Sequence, residues 1–478
     1  MVWSSIAEIC AKLVAPITNM ILARLLTPGA FGAVATITLV ISFAEIFTDA
    51  GFQKYIIQHE FSSEEELDRN TNVAFWTNFC TSVFIVALIV AFRHFLADLV
   101  GSPDLGDAIA VASMVIILVS FSSIQIARFK RAFDFKTLFF VRIGSSLIPL
   151  VVTVPLALVF RNFWALVLGT LAVNLFSTVV LMIKSKWHPT FAYDFACLKN
   201  MLSFSAWTLL ETILIWLTTH VDIFIVGRIL SDYHLGLYRT SMTTINSYMS
   251  LITASITPVL FATLSRYQND EGLFKETYWK FFKYTSIISI PMSVGIFLYK
   301  DLVTLILLGE QWAEATGFIG IWGLMSGFTI ILCNYSSEVY RSKGNPKLSM
   351  LAQILHMAFL IPAVLLTVNQ SFETLYITRA LVRLQFVLVH WIFMRAVYKF
   401  KISKMFVSIL PAGVSALVML LMGYVWLWFG TAFWWQLLGV GVCVIVYFGV
   451  LFLVFPKTRK EILALPILKK IKRKITKR

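Results

Sequence analysis

The stretch Ile21-Leu-Ala-Arg-Leu-Leu-Thr-Pro-Gly-Ala-Phe-Gly32 occurs a second time, as Ile225-Val-Gly-Arg-Ile-Leu-Ser-Asp-Tyr-His-Leu-Gly236. Arginine and glycine stand eight apart in both copies, Arg24 with Gly32 and Arg228 with Gly236. Between them lie two aliphatics, a Thr or Ser, turn-forming residues and an apolar residue. Each copy follows one apolar run and precedes another, so each reads as a tight turn between two membrane helices. A repeat displaced by 204 residues in a chain of 478 implies two homologous halves.

Composition names the solvent. Hydrophobic residues make up 59%, charged residues 14%, and mean hydropathy is +0.82. A soluble chain could not hide that much apolar surface, so lipid takes the place of water around it. The five cysteines (Cys10, Cys80, Cys197, Cys333, Cys443) are scattered, without a C-x-x-C, and read as small apolar fillers. Met1 to Leu26 is interrupted by Glu8 and Lys12 and reads as a first span, not a cleavable signal.

About fourteen apolar runs reach the roughly 20 residues a membrane helix needs, from 2–26 to 433–455. The net charge of +15 is not a nucleic-acid footprint, because its distribution follows the spans. Of the 40 Lys and Arg, 31 fall in loops after even-numbered spans or in the tail, and 6 in loops after odd-numbered ones. Under the positive-inside rule both termini face the cytoplasm. Six spans separate the repeated turns, so both lie on one side of the bilayer and the halves are parallel repeats.

The expected architecture is therefore all-α and integral to the membrane. A first lobe covers 1–184 (spans 1–6), an interfacial linker 185–200, a second lobe 201–400 (spans 7–12), two extra spans 401–455, and a basic tail 456–478. In the tail, Leu468, Ile471 and Ile475 share a helical face amid lysines, which suits an anionic inner leaflet; a disordered basic tail is the alternative reading.

These residues also carry a family resemblance. Ala23-Arg-Leu-Leu-Thr-Pro28 with Phe31-Gly32, then Asp49-Ala-Gly-Phe52 with Ile56-Ile-Gln58, resemble the N-terminal signature of Wzx-type polysaccharide exporters. These belong to the multidrug/oligosaccharidyl-lipid/polysaccharide (MOP) exporter superfamily. Val221-Asp-Ile-Phe-Ile-Val-Gly-Arg228, Leu235-Gly-Leu-Tyr238, Leu264-Ser-Arg266 and Leu308-Gly-Glu-Gln-Trp312 are similar to its second half. The likeness runs from about residue 5 to residue 455, nearest to the colanic-acid type, and departs from the pattern at Ser231-Asp-Tyr-His234. It implies two six-helix lobes in a V around a central cavity and alternating access. It also implies a cargo of undecaprenyl-pyrophosphate-linked oligosaccharide, moved from the inner to the outer leaflet for exopolysaccharide, capsule or O-antigen synthesis. No cofactor is implied; the partners are the lipid-linked sugar, membrane lipids and the polysaccharide polymerase machinery.

Seven ionisable residues fall within predicted spans: Glu8, Lys12, Glu45, Asp49, Glu211, Arg379 and Arg383. At roughly 3 kcal/mol each against lipid they would cost about 20 kcal/mol, more than the ~5–15 kcal/mol net stability of a fold, so they face protein or water. Arg379 and Arg383 lie one turn apart and form a fork suited to pyrophosphate, or else a bridge to Glu211 or Glu338. Lys12 is a further candidate for the cavity, or the i,i+4 partner of Glu8. Glu45 and Asp49 share a face, and like charges so placed favour an ion- or proton-coupling site; neutralisation by Lys12 is the bland alternative. Their equivalents 204 residues on are Met249 and Thr253, so the acids belong to the first lobe alone. Arg24 and Arg228 suit turn-capping or a substrate gate. Asp222 is a candidate partner of Arg228 and a third coupling acid. Gly32 and Gly236 permit close helix contact or a tight turn.

No metal-ligand spacing, Walker lysine or nucleophile elbow is present, and outer loops of about fifteen residues leave little room for catalysis. A cation-coupled small-molecule antiporter is the runner-up; a membrane polymerase or glycosyltransferase and a structural scaffold stand behind it.

Overall fold

The computed structural model describes residues 2–49, 52–191, 193–345 and 347–463, with side chains beginning at residue 14 and omitting 49, 54, 58, 200, 202–208, 210, 211, 254, 255, 402 and 463. No strand occurs among the described residues. Among the described residues, fourteen long helices follow in order: α1 (Val2–Leu25), α2 (Pro28–Asp49), α3 (Glu64–Ala91), α4 (Met114–Arg131), α5 (Phe135–Ile148), α6 (Trp164–Lys184) and α7 (Phe195–Ile229). Then come α8 (Asp232–Arg266), α9 (Glu271–Leu298), α10 (Thr316–Thr329), α11 (Lys347–Thr367), α12 (Phe372–Ala396), α13 (Ile402–Trp428) and α14 (Phe433–Val454). α5 runs through a π-turn at Pro149–Thr153 into Val154–Phe160, and α10 through one at Ile330–Asn334 into Tyr335–Ser342. At Pro149 the missing N–H opens the ladder.

Among the described residues, twelve helices are long and apolar enough to cross a bilayer, and α8, bent by 46°, makes a thirteenth. The fourteenth expected span is α1, whose described apolar part is only Val14–Leu25. The linker expected over 185–200 ends early: Asp194 accepts from the Ala196 N–H and starts α7 at Phe195. Ser63, Asp134 and Asp270 cap α3, α5 and α9 in the same way.

By backbone proximity the chain forms two compact units. Unit 1 comprises Met1–Thr243, Leu307–Trp312 and Ile361–Leu375; unit 2 comprises Thr244–Ile306, Ala313–Leu360 and Tyr376–Arg478. In unit 1, Phe75 packs against Phe121 and Trp187 above Phe52 and Ile56. In unit 2, Tyr278, Trp279, Phe282, Tyr335, Tyr340 and Tyr447 are all buried in one core cluster. Large apolar side chains such as Val159, Ile183, Leu366, Ile445 and Leu453 are left exposed, as a lipid solvent requires.

Candidate functional site

Two constellations stand out, one in each unit. The first is built on the repeated turns in unit 1. The opening turns of α2 and α8 cross at Gly32 and Gly236. A Cβ on Gly32 would lie 1.7 Å from the Asp232 carbonyl oxygen, and one on Gly236 would lie 1.8 Å from that of Pro28. Any side chain there would overlap backbone, so the close contact expected of these glycines is a contact between the two repeats themselves.

Each turn is then gripped by a loop from the other half of the sequence. At the end of α1, Gln311 Nε2 donates to the carbonyls of Ala23 and Leu26. Trp312 Nε1 also donates to Ala23, at 2.8 Å, and its ring meets Phe31 edge-on at 5.3 Å. These side chains satisfy carbonyls that the end of a helix leaves bare. Gly309, at φ +104°, brings the backbone over Arg24, whose Cγ would lie 3.2 Å from a Cβ there. At the end of α7, Gly101, at φ +87°, does the same: a Cβ would lie 2.4 Å from the Gly227 carbonyl oxygen. Arg228 donates to the Asp98 carbonyl, and Ser102 Oγ to Asp232 Oδ1 at 2.7 Å.

Arg228 is therefore not the partner of Asp222. That carboxylate is 1% exposed and accepts from Tyr238 Oη at 3.0 Å and from the Ile223 N–H at 2.9 Å, joining α7 to α8. Arg24 and Arg228 themselves are exposed.

The second constellation lies in unit 2. Arg379 and Arg383 do come together, but over an aromatic face. Their guanidinium carbons stand 5.1 and 3.8 Å from the centroid of Trp322. Arg383 Nη1 donates to Ser326 Oγ at 2.7 Å, and that hydroxyl donates to the Trp322 carbonyl at 2.7 Å. Trp322 Nε1 donates to Asn246 Oδ1 at 3.1 Å on α8. Behind the indole, Phe318 stacks on Tyr376, and Gly317 leaves room for the Tyr376 hydroxyl. Arg379 is 8% exposed. Among the described residues no carboxylate lies within ion-pair distance of Arg383; Glu338, the structural alternative, is paired with Arg341. For Arg383, a cation–π contact of about 1–2 kcal/mol does not by itself offset a membrane insertion of about 3 kcal/mol. Among the described residues Arg383 is therefore held by an indole face and a hydroxyl, not by a carboxylate.

The acids fare differently. Glu45 is half-buried on α2, and no ion-pair partner of its carboxylate occurs among the described residues. One turn earlier, Ser42 Oγ accepts from Trp216 Nε1 at 3.0 Å, so this face of α2 looks toward α7. The side chains of Lys12, Asp49, Glu8 and Glu211 lie outside the described residues, as does the tail from 464 on.

A polar cavity of about 690 Å³ in unit 1 is lined by Tyr55, His59, Glu66, Arg69, Cys197 and Lys199 among others. Arg69 there stands 3.8 Å from Asp194, and Glu66 accepts from the Ser62 N–H. Burial, then the hydrogen bond to Asp194, push the Cys197 thiol up.

Sequence reasoning missed Trp322, Ser326 and Asn246, and, although Leu308–Trp312 stands in a family motif, it gave no role to Gln311, Trp312, Gly101 and Gly309. The last two had a signal. Leu99-Val-Gly101 and Leu307-Leu-Gly309 form a further pair of equivalents, displaced by 208 residues, so a repeat search allowing a four-residue insertion finds them.

Comparison with known proteins follows the same lines. A family described as "Polysaccharide biosynthesis protein" matches residues 21–317. The teichuronic acid biosynthesis protein TuaB of Bacillus subtilis is 21% identical over 349 residues, 73% of this chain and 71% of that protein. The lipopolysaccharide biosynthesis protein WzxC of Escherichia coli is 21% identical over 316 residues, 65% of this chain and 63% of that protein. In structure, the chain is similar to the lipid II flippase MurJ in an inward closed conformation. The TM-score is 0.77 at 14% identity, over 96% of this chain and 99% of that one.

Proposed function

Because the chain belongs to the polysaccharide biosynthesis protein family, matched over residues 21–317, we propose that it is a flippase for a polyprenyl-pyrophosphate-linked oligosaccharide. In this reading it works by alternating access and carries the sugar from the inner to the outer leaflet. The observation that carries the reading is the Arg379–Arg383 fork. Two guanidiniums held on one indole, with no carboxylate against Arg383 among the described residues, have the charge and planarity that a pyrophosphate uses. Lys12 is proposed to add a third cation. The likeness in fold to a lipid flippase supports the same reading.

With 31 of the 40 basic residues on one side, both termini are placed in the cytoplasm and the repeated turns at the outer surface. The Gly32–Gly236 crossing is then the outer closure, which must part to release cargo, and Arg24 and Arg228 belong to its rim. Glu45, with Asp49, is proposed as the coupling site for a proton or cation; Asp222, tied to Tyr238, holds the hairpin at the outer end. The cycle needs no covalent step, and the basic tail is assigned to anionic lipid.

A cation-coupled small-molecule antiporter has Glu45 in its favour but gives the arginine fork nothing to bind. The test is Arg383→Ala, compared with wild type for membrane insertion and polymer export. Export is expected to be lost while insertion persists; normal export would remove the fork from the mechanism.

A further inference from the structure

We infer that the face of α8 beside the fork is a glycan subsite, formed by Asn246, Ser250 and Thr253 and set at a fixed distance from the anion site by Trp322. The inference rests on the reading of Arg379 and Arg383 as the pyrophosphate site.

The argument starts from helix periodicity. Residues 246, 250 and 253 recur at steps of four and three and so share one face of α8. Ile245, at 0% exposure, marks the packed side of the helix, and Met249, at 3%, lies at the edge between that side and this face. Asn246 is exposed and Ser250 half-buried, within a helix that crosses the membrane. An amide so placed faces water or a polar ligand, not hydrocarbon.

The hydrogen-bond polarity of that face is fixed by its neighbours. An indole N–H can only donate, so Trp322 Nε1 selects the oxygen of the Asn246 amide at 3.1 Å. The amide nitrogen is left to point its two N–H groups elsewhere. Ser250 Oγ donates to the Ser247 carbonyl at 2.7 Å, and Thr253 Oγ1 to the Ser250 carbonyl at 3.2 Å. Both hydroxyls have thus committed their protons to the helix and offer only lone pairs outward.

The face therefore presents donors at one position and acceptors at the next two. A sugar, whose hydroxyls both donate and accept, satisfies all three. A phosphate, which only accepts, gains nothing from Ser250 or Thr253 and is repelled by their lone pairs. Anion and glycan are sorted onto different residues, with the same indole ring touching both sets.

The test uses the full-length protein in detergent or nanodiscs, with two probes: undecaprenyl pyrophosphate, and the same lipid bearing a disaccharide. Wild type is expected to bind the sugar-bearing lipid more tightly. In Asn246→Ala that preference should shrink about tenfold, as two lost hydrogen bonds imply, and in Ser250→Ala about threefold. Affinity for the bare lipid should stay within about twofold in Ser250→Ala, a substitution that leaves Trp322 untouched. Arg383→Ala should lose both lipids. Unchanged preference in both α8 variants overturns the inference and leaves the fork standing, as does an equal loss of both lipids in Asn246→Ala. A wild type that binds neither lipid, or an Arg383→Ala that keeps the bare lipid, overturns the fork reading and this one with it.

Discussion

The Gly32–Gly236 crossing can be broken with a single methyl group. In Gly236→Ala the new Cβ would stand 1.8 Å from the Pro28 carbonyl oxygen and 2.9 Å from the Gly32 nitrogen. Contacts under 3.0 Å are essentially never made by a real Cβ, and both neighbours are backbone, so no rotamer relieves the overlap. The turns must part by more than 1 Å. Overpacking of this kind costs about 1–3 kcal/mol. Charged to the closed state alone, that shifts the open-to-closed ratio by about 5- to 150-fold. A single-cysteine protein carrying Ile37→Cys reports the change, because Ile37 is 3% exposed on α2 within the unit that holds the crossing. A membrane-impermeant thiol reagent added outside should spare Ile37→Cys in the parent and label it once Gly236→Ala is added. Export should fall while the protein remains in the membrane. Gly32→Ala should act alike, and the double variant should be less than additive, since both touch one contact. Wild-type export with Ile37→Cys still protected would refute the idea that this crossing must close for the protein to work.

Trp322→Leu should reproduce the export loss of Arg383→Ala, because it removes the face that holds both guanidiniums; Trp322→Phe, which keeps a ring and loses only the bond to Asn246, should retain most export. Gln311→Ala strips two donors from the end of α1 and should lower stability by about 1–2 kcal/mol, read as a drop in thermal unfolding temperature without loss of the fork's lipid binding. Asp134 caps α5 through the Thr137 hydroxyl and N–H, which hold its carboxyl below the usual range. Its stabilisation is therefore present at neutral pH and lost as pH falls through that lowered value. The melting temperatures of wild type and Asp134→Asn, compared from pH 7 to pH 3, should converge at the acid end.

The repeat was legible because arginine and glycine eight apart leave a signature in one dimension. What the turns dock against was harder to read, because Gly101 and Gly309 sit at another displacement and their role shows only in their positive φ. The pairing of Arg379 with Arg383 followed from helix spacing. The part Trp322 plays did not, since an indole face carries no formal charge and a charge pattern cannot point to it. Asp222 was matched to the nearest arginine in the sequence, whereas the α7–α8 hairpin folds Tyr238 back onto it. Hydroxyls are too common in a sequence to single out a partner; geometry chose this one. The π-turn in α5 was equally hidden, because proline in a membrane helix is compatible with a kink as well as with a locally widened coil.

The exchange of loops, each half holding the other's turn, bears on how this chain can be recombined. A chimera that takes residues up to the middle from one relative and the remainder from another mismatches both grips at once, however well each portion folds. Transplanting the four short segments around Arg24, Gly101, Arg228 and Gly309 as a set keeps every grip with its own counterpart. Where the fork and the α8 face carry cargo preference, as proposed above, that preference can then be traded between relatives while the four grips are kept intact.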